Sequence, residues 1–101
     1  MVYITQLIYI YPGQEHVFNQ FEAVAIPIIA KYRGKLLLRM RPDEYTYIEH
    51  HIEKPYEIHL VSFDSIADFE SFKQDEARKQ FMHLKEQSVK EAWLIQGTRL
   101  A

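Results

Sequence analysis

The sequence predicts an α+β fold in which two β-α-β halves share one antiparallel sheet with the helices on one face, the ferredoxin-like βαββαβ plan. Three observations predict it. Four runs are rich in β-branched and aromatic residues, as strands are. Apolar residues at helical spacing lie between the first and second runs and between the third and fourth. The 101 residues are enough for one ordinary domain, 1–101.

The first predicted strand covers residues 2–11 and ends at the Pro12-Gly13 turn. Strand side chains alternate between two faces. Here both faces are apolar, with Val2, Ile4, Ile8 and Ile10 on one and Tyr3, Leu7, Tyr9 and Tyr11 on the other. A strand with one face in water would carry polar residues at every second position. We therefore expect this strand to be covered on both sides.

The first helix is predicted over residues 15–32, where an apolar stripe recurs at spacings of three and four. Pro27 predicts a kink in this helix. Gly34 suits the left-handed residue that follows a helix end. The second strand, 35–41, then carries two faces, with Leu36, Leu38 and Met40 on one and Lys35, Leu37, Arg39 and Arg41 on the other.

The second half of the chain repeats this order after a polar segment, 43–55, which we interpret as an excursion or a short edge ribbon. A third strand is predicted over 56–63. Ser65 is suited to cap the helix after it. Two short helices, 65–73 and 75–87, carry the buried stripe Ile66, Phe69, Phe72 and then Ala77, Phe81, Leu84. A fourth strand from about Ala92 closes the chain.

Composition excludes several classes of function. The chain has no cysteine and therefore no disulfide, no thiolate metal site and no cysteine nucleophile. A net charge of −2 gives no basic surface for nucleic acid. No apolar run is long enough to span a membrane, and no signal peptide is evident. We expect a cytoplasmic protein with no cofactor, no metal site, and no nucleic-acid or membrane partner.

Three stretches resemble the dimeric α+β-barrel superfamily, over nearly the full chain. They are the first strand with Pro12-Gly13 and a helix that begins at Glu15, the run 26–37 through a proline into Gly-Lys-Leu, and the strand-to-helix junction 57–67. The last stretch is similar to NIPSNAP-like members and to small uncharacterised bacterial members. The resemblance implies a homodimer that packs sheet against sheet. It also implies a ligand cavity between sheet and helices, in a superfamily that includes cofactor-free monooxygenases, isomerases and members without known activity.

His59 is the first candidate catalytic residue, with Glu57 beside it. His59 matches the histidine of the NIPSNAP-like strand motif, and histidine serves as a general base or acid near neutral pH. Glu57 lies two residues away on the same strand face, so its carboxylate could orient the imidazole. The alternative is a histidine that is merely bonded to a neighbour or buried in an interface. Too few ligands are placed together to predict a metal site.

The candidate ligand-binding residues are one arginine and several aromatic side chains. Arg39 and Arg41 share a strand face and could hold a carboxylate or phosphate; alternatively they pair with Glu44, Glu49 or Glu57 on a neighbouring strand. The aromatic candidates for the wall of a pocket are Tyr9, Tyr32, Phe63 and Trp93. Aromatic side chains in a small core also serve packing alone.

Three hypotheses of function follow. The first is a small homodimeric protein that binds a small molecule between sheet and helices. Its second copy would cover the apolar face of the sheet that the helices leave open. The second is a cofactor-independent monooxygenase- or isomerase-like enzyme for a small aromatic or enol-like substrate, with His59 as the base. The third is a protein-interaction subunit that makes contact through the segment 43–55. An enclosed cavity that reaches His59 favours the second, and exposure of Tyr45, Tyr47 and Ile48 favours the third.

Overall fold

The computed structural model describes residues 1–101 and contains four strands and four α-helices. The strands are numbered β1 to β4 and the helices α1 to α4 in chain order. Their bounds are β1 Val2–Ile10, α1 Glu15–Ile28, β2 Gly34–Met40, β3 Glu57–Phe63, α2 Ile66–Lys73, α3 Glu76–Gln80, α4 Met82–Ser88 and β4 Val89–Gly97.

The four strands form one antiparallel sheet in the order β2-β3-β1-β4. This is the predicted α+β, ferredoxin-like arrangement, in which each half contributes one central and one edge strand. In the register of β1 and β3, Ile4 lies opposite Val61 and Gln6 lies opposite His59. Residues 2, 4, 6 and 8 therefore share a face with residues 57, 59, 61 and 63.

The helices cover that face of the sheet, which we call the helix face. Its core is a cluster of buried apolar side chains from both layers, namely Val2, Ile4, Ile29, Val61, Phe63 and Phe69. The predicted apolar character of both faces of β1 has different consequences on the two sides. On the helix face Ile4 and Ile8 are buried, whereas Tyr3 and Leu7 on the opposite face, which we call the open face, are only half-buried.

A β-bulge in β2 corrects the predicted alternation of that strand. Leu36 pairs with Val61, but the register shifts so that Leu38 pairs with Leu60 and Arg39 with His59. Leu36 is on the helix face, and Leu38 is not, contrary to the prediction that they share a face. The extra residue places Arg39 on the same face as His59.

The end of the first helix also differs from the sequence prediction. Helix α1 continues through Pro27 and changes to a 3-10 turn at Ile29–Tyr32. The residue in the left-handed conformation is Arg33, with φ of 59°, and not Gly34. Gly34 is required by close packing instead. A Cβ atom at Gly34 would lie 2.6 Å from side-chain atoms of both Ile29 and Phe63.

The second helical region consists of three helices where two were predicted. Ser65 caps α2 as expected, since its Oγ accepts a hydrogen bond from the backbone N–H of Asp68 at 3.1 Å. Asp75 caps α3 in the same way through the N–H of Arg78 at 3.0 Å. The predicted apolar stripe is wrong here, because Ala77 is exposed and Arg78 is turned inward. The chain then breaks at Phe81, between α3 and α4.

The excursion between β2 and β3 contains no strand, so the edge ribbon suggested for residues 43–55 is absent. It begins with a turn in which Asp43 Oδ1 accepts hydrogen bonds from the Tyr45 N–H and the Thr46 hydroxyl, at 2.9 and 3.0 Å. Farther along, the carbonyl of Glu53 accepts a hydrogen bond from the Tyr9 hydroxyl at 2.7 Å. The segment thus buries Tyr9 and covers one end of the open face.

The rest of the open face has no cover within the chain. Strand β4, which begins at Val89 rather than at Ala92, contributes Trp93 and Ile95 to it, and β2 contributes Leu37 and Leu38. These four side chains are between 43% and 47% exposed. No helix in the chain combines the length and the apolarity that a membrane crossing requires.

Candidate functional site

A cavity lies between the sheet and the helices, where the resemblance implied a ligand cavity. Its volume is about 60 Å³. A single water molecule needs about 10–15 Å³ of such space, so the cavity has room for a small ligand. Most of its wall is apolar and comes from β1, α1, β3 and α2, with Ile4, Ile8, Phe18, Phe21, Phe63 and Phe72 among the lining side chains.

His59 lines this cavity, and its ring is almost entirely enclosed. Only 4% of His59 is exposed. It lies in the middle of β3, opposite Gln6 of β1 and Arg39 of β2, and thus faces the helices. Phe63 lines the same cavity at the end of the strand. The structure therefore answers which face of this strand meets the cavity, a point that the sequence left open.

Glu57 is bonded directly to His59 and to two arginines. Its Oε2 accepts hydrogen bonds from His59 Nε2 and from Arg39 Nε, the latter at 3.0 Å, and its Oε1 accepts one from Arg41 Nε at 2.7 Å. Glu57 is completely buried, while both arginines reach solvent. Of the two roles considered for Arg39 and Arg41, the structure places them in the ion pair with Glu57.

This environment keeps the Glu57 carboxylate ionised. Burial by itself would raise its pKa, but the hydrogen bonds from His59, Arg39 and Arg41 outweigh burial and lower the pKa to about 2. Arg41 is itself fixed, since it donates to Asn19 Oδ1 at 2.6 Å and stacks on the ring of Tyr56. The carboxylate is thus a permanent acceptor at neutral pH.

An ionised carboxylate can only accept hydrogen bonds, so its bond to His59 places a proton on Nε2. In the neutral imidazole the lone pair is then on Nδ1, which has no hydrogen-bond partner in the protein. This arrangement of carboxylate and imidazole is the one by which a carboxylate orients a general base and stabilises its protonated form.

Sequence reasoning missed four polar residues that line the cavity: Gln6, Glu22, Arg78 and Lys85. A signal for Glu22 was available, because it lies four residues after Phe18 and three before Ala25 on the buried side of α1. Arg78 and Lys85 lie on separate helices, α3 and α4, so no single helical stripe indicated that they share a cavity. Burial raises the pKa of Glu22 and lowers that of Lys85.

Three of the aromatic candidates lie away from the cavity. Trp93 pairs with Leu7 on the open face, and Tyr9 is buried there under the excursion. Tyr32 donates a hydrogen bond to Asp75 Oδ2 at 2.6 Å and packs against Phe72 at the end of the helical layer. Nowhere do three carboxylate or imidazole side chains come together in a group that could hold a metal ion.

The excursion meets the condition for a protein-contact segment only in part. Tyr45 and Ile48 project fully into solvent. Tyr47 does not, because its ring packs against His50 and its hydroxyl is buried. The adjacent histidines His50 and His51 are both exposed, and His50 Nδ1 donates to the carbonyl of Ile52.

Comparison with solved structures places the chain among small proteins of this fold. A protein of unknown function from Rhodopseudomonas palustris superposes with a TM-score of 0.83 at 15% identity, over 99% of this chain and 82% of that one. An uncharacterised NIPSNAP domain protein from Burkholderia xenovorans gives 0.74 at 13% identity, over 100% and 96%. A Bacteroides thetaiotaomicron protein, provisionally described as an antibiotic biosynthesis monooxygenase, gives 0.71 at 18%, over 100% and 90%.

The structural resemblance to NIPSNAP-like proteins is thereby confirmed at the level of the fold. No protein-family model matches the sequence, and no curated protein matches it either. At these identities the likeness extends to the arrangement of strands and helices. Any function must therefore be argued from the cavity and its side chains.

Proposed function

We propose that the protein is a cofactor-independent, isomerase-like enzyme that moves a proton at a carbon next to a carbonyl group of a small molecule. His59 is the general base, and Glu57 is the positioning residue that holds its ring. The observation that carries the proposal is the buried carboxylate–imidazole pair in the wall of the cavity. Apolar side chains would fill this space equally well, so the pair is not required for packing. The unprotonated Nδ1 of His59 is the kind of base that removes a proton from an acidic C–H group.

The proposed step uses only groups that the chain supplies. Nδ1 of His59 takes the proton from carbon, and the resulting imidazolium is stabilised by the Glu57 carboxylate. The substrate becomes an enolate, which regains the proton at another carbon or at oxygen. Arg39 and Arg41 act through Glu57, because their hydrogen bonds prevent it from taking the proton in place of the imidazole.

Exchange of hydrogen for deuterium at the α carbon tests this function. We expect the protein in D₂O to accelerate exchange in 2-oxobutyrate or in 2-butanone, measured by proton NMR. The variant H59Q should lose about 100-fold or more of that rate, since a positioned base contributes about 10²–10⁴. H83Q is the control, because His83 is exposed on α4. No exchange by the wild type, or equal rates in H59Q, would contradict the proposal.

A monooxygenase-like activity is the second function to test, because of the provisional description of the Bacteroides thetaiotaomicron neighbour. An enolate formed at His59 would add dioxygen at its carbon and, once protonated, give a hydroperoxide. Loss of water from that hydroperoxide leaves a new carbonyl group, so the substrate itself supplies the two electrons. Oxygen uptake that depends on His59 would assign this activity. Exchange without oxygen uptake would leave the isomerase-like step alone.

We also propose that a second copy of the chain covers the open face. The molecule is a slab with Cα extents of 38 × 35 × 16 Å, and its helices lie on one side only. An apolar surface on the other side includes exposed Trp93 and Ile95 on one edge strand and Leu37 and Leu38 on the other. Such surfaces are rare on monomers, and a standard interface would bury about 800 Å² of each subunit.

A further inference from the structure

Two cationic side chains in the cavity have no carboxylate partner. Arg78 and Lys85 both line it, and neither forms an ion pair within 4.0 Å, although five other pairs of a lysine or arginine with a carboxylate occur in the chain. Arg78 is 9% exposed, and its Nε atom is buried without any hydrogen-bond partner. A buried guanidinium N–H that lacks an acceptor is costly, so native structures seldom contain one without a reason.

The Arg78 side chain is held in place by its surroundings. The backbone N–H of Arg78 is bonded to Asp75, and its Nη1 donates to the carbonyl of Lys73 at 3.3 Å. The guanidinium also lies over the rings of Phe21 and Phe72, at 5.8 and 5.1 Å from their centroids. These contacts fix the guanidinium in the wall of the cavity.

Glu22 is the only acidic side chain that lines the cavity, and its charge acts on both cations from beyond ion-pair distance. It makes no ion pair with Arg78 or Lys85. Burial raises its pKa, as expected for a carboxylate removed from water. Burial also lowers the pKa of Lys85, so an anion in the cavity would stabilise both the lysine and the arginine.

We propose that the substrate is a small carboxylic acid whose carboxylate is bound by the Arg78 guanidinium and the Lys85 ammonium group. This inference rests on the proposed function in taking the cavity as the substrate site, and it names the chemical class that the site accepts. The carbon skeleton of the acid lies against the apolar wall. Its carbonyl-activated carbon is then directed toward His59, on the β3 side of the same cavity.

The size of the cavity limits the acid to a short chain. An engineered cavity of about 150 Å³ holds benzene, whereas this one is about 60 Å³. An aromatic acid would therefore require the helices to move outward. A short aliphatic acid of the 2-oxobutyrate type requires much less adjustment, so the enol-like alternative is favoured over the aromatic one.

Binding of a charged and a neutral probe of the same shape tests the inference without any chemistry. The probes are isobutyrate and isobutyramide, with dissociation constants measured by NMR titration. We expect isobutyrate to bind at least about tenfold more tightly, because a hydrogen bond to a charged group is the stronger kind. Equal affinity for the two probes, or no binding of isobutyrate, would overturn the inference.

Three variants assign the contact. R78Q and K85Q should each weaken isobutyrate binding by about tenfold or more and leave isobutyramide unchanged. K79Q is the matched control, since Lys79 is an exposed cation next to Arg78 on α3. K85Q keeps the test valid if R78Q fails to fold. Isobutyrate binding that is unaffected in K85Q and in folded R78Q would overturn the inference.

The two proposals fail in different experiments. A protein that prefers isobutyrate but catalyses no α-proton exchange retains the carboxylate site and loses the proposed enzymatic step. A protein that exchanges the protons of 2-butanone as fast as those of 2-oxobutyrate, and binds both probes equally, retains the step and loses the carboxylate site.

Discussion

At the scale of single residues, Glu57 connects the surface of the protein to its cavity. Both carboxylate oxygens are in use, one bonded to Arg41 and the other to Arg39 and His59. Arg39 and Arg41 reach solvent, whereas His59 faces the cavity. The buried negative charge of Glu57, unfavourable by itself, is thus compensated by two arginines that reach the surface. The ionised carboxylate in turn fixes the orientation of the His59 imidazole.

The variant E57Q should be less stable than the wild type at neutral pH. We expect a loss of about 3 kcal/mol in the free energy of unfolding, near the lower end of the range for a broken buried ion pair, because the arginines keep contact with solvent. E53Q is the control. Glu53 pairs with Lys90 at the surface, where a pair contributes about 1 kcal/mol or less. Chemical denaturation at pH 7 measures both.

The difference between wild type and E57Q should depend on pH in a defined direction. The folded-state pKa of Glu57 is lowered to about 2 from an ordinary 4.5. A lowered pKa means that the ionised group stabilises the fold above its unfolded-state pKa, and that this contribution is lost as the pH falls from about 4.5 to about 2. The stability curves of the two proteins should converge over that window. Parallel curves would show that Glu57 is not held ionised by its partners.

At the scale of elements, the junction between α1 and β2 depends on the absence of a side chain at Gly34. A Cβ there would lie 2.6 Å from Ile29 Cγ2 and from Phe63 Cε1, and 2.9 Å from the carbonyl oxygen of Ile29. Phe63 is almost completely buried, and the carbonyl belongs to the backbone, so neither can move without disturbing the core.

The variant G34A should therefore destabilise the protein by about 1–3 kcal/mol, the usual cost of inserting a methyl group into a packed core. G97A is the matched control, because a Cβ at Gly97 has no neighbour within 4 Å and the backbone there is not left-handed. We expect G97A to change the melting temperature very little. Equal effects of the two substitutions would show that the loss comes from chain entropy and not from the contact.

The elements also show how far the sequence predicts this fold and where prediction stops. Alternation within β3 predicted that Glu57 and His59 share a face, and runs of β-branched and aromatic residues predicted the four strands. Alternation also paired Arg39 with Arg41. The bulge between Leu36 and Leu38 was not predictable, because a bulge adds one residue without changing composition or pattern. That one residue places both arginines on the face of Glu57.

The buried side chains of α3 and α4, on the far side of the cavity, were predicted wrongly for another reason. Ala77, Phe81 and Leu84 formed the apolar pattern, yet the cap at Asp75 and the break at Phe81 turn Arg78 inward instead. Hydrophobic periodicity assigns charged residues to solvent by default. Charged side chains that line a cavity lie on the buried side of a helix and contradict this rule. Arg78 and Lys85, the residues proposed to bind the ligand, were missed for that reason.

At the scale of the whole molecule, the two faces of the sheet have separate roles. The helix face holds the core and the cavity, and its side chains are largely buried. The open face is covered at one end by the segment 43–55, through the bond from Tyr9 to Glu53, and is otherwise apolar and half-exposed. The likeness to proteins of the same fold does not assign a partner to this face. Its apolar side chains support the proposal that a second copy of the chain covers it, since most oligomers are symmetric and built from identical chains.

A single charge on the open face tests the homodimer proposed above. Ile95 is 47% exposed on β4 and lines the same surface depression of the open face as Tyr3, Leu37 and Leu60. In I95K an unpaired ammonium group would enter the interface, and the cost of removing it from water would oppose association. We expect the wild type to sediment at twice its chain mass of 12.1 kDa and I95K to sediment as a single chain.

I66K is the matched control, because Ile66 is 44% exposed but lies on α2, across the molecule from the open face. Its mass should remain that of the dimer. A wild type that sediments at 12.1 kDa, or an I95K variant as dimeric as I66K, would mean that the apolar residues of the open face do not meet a second copy.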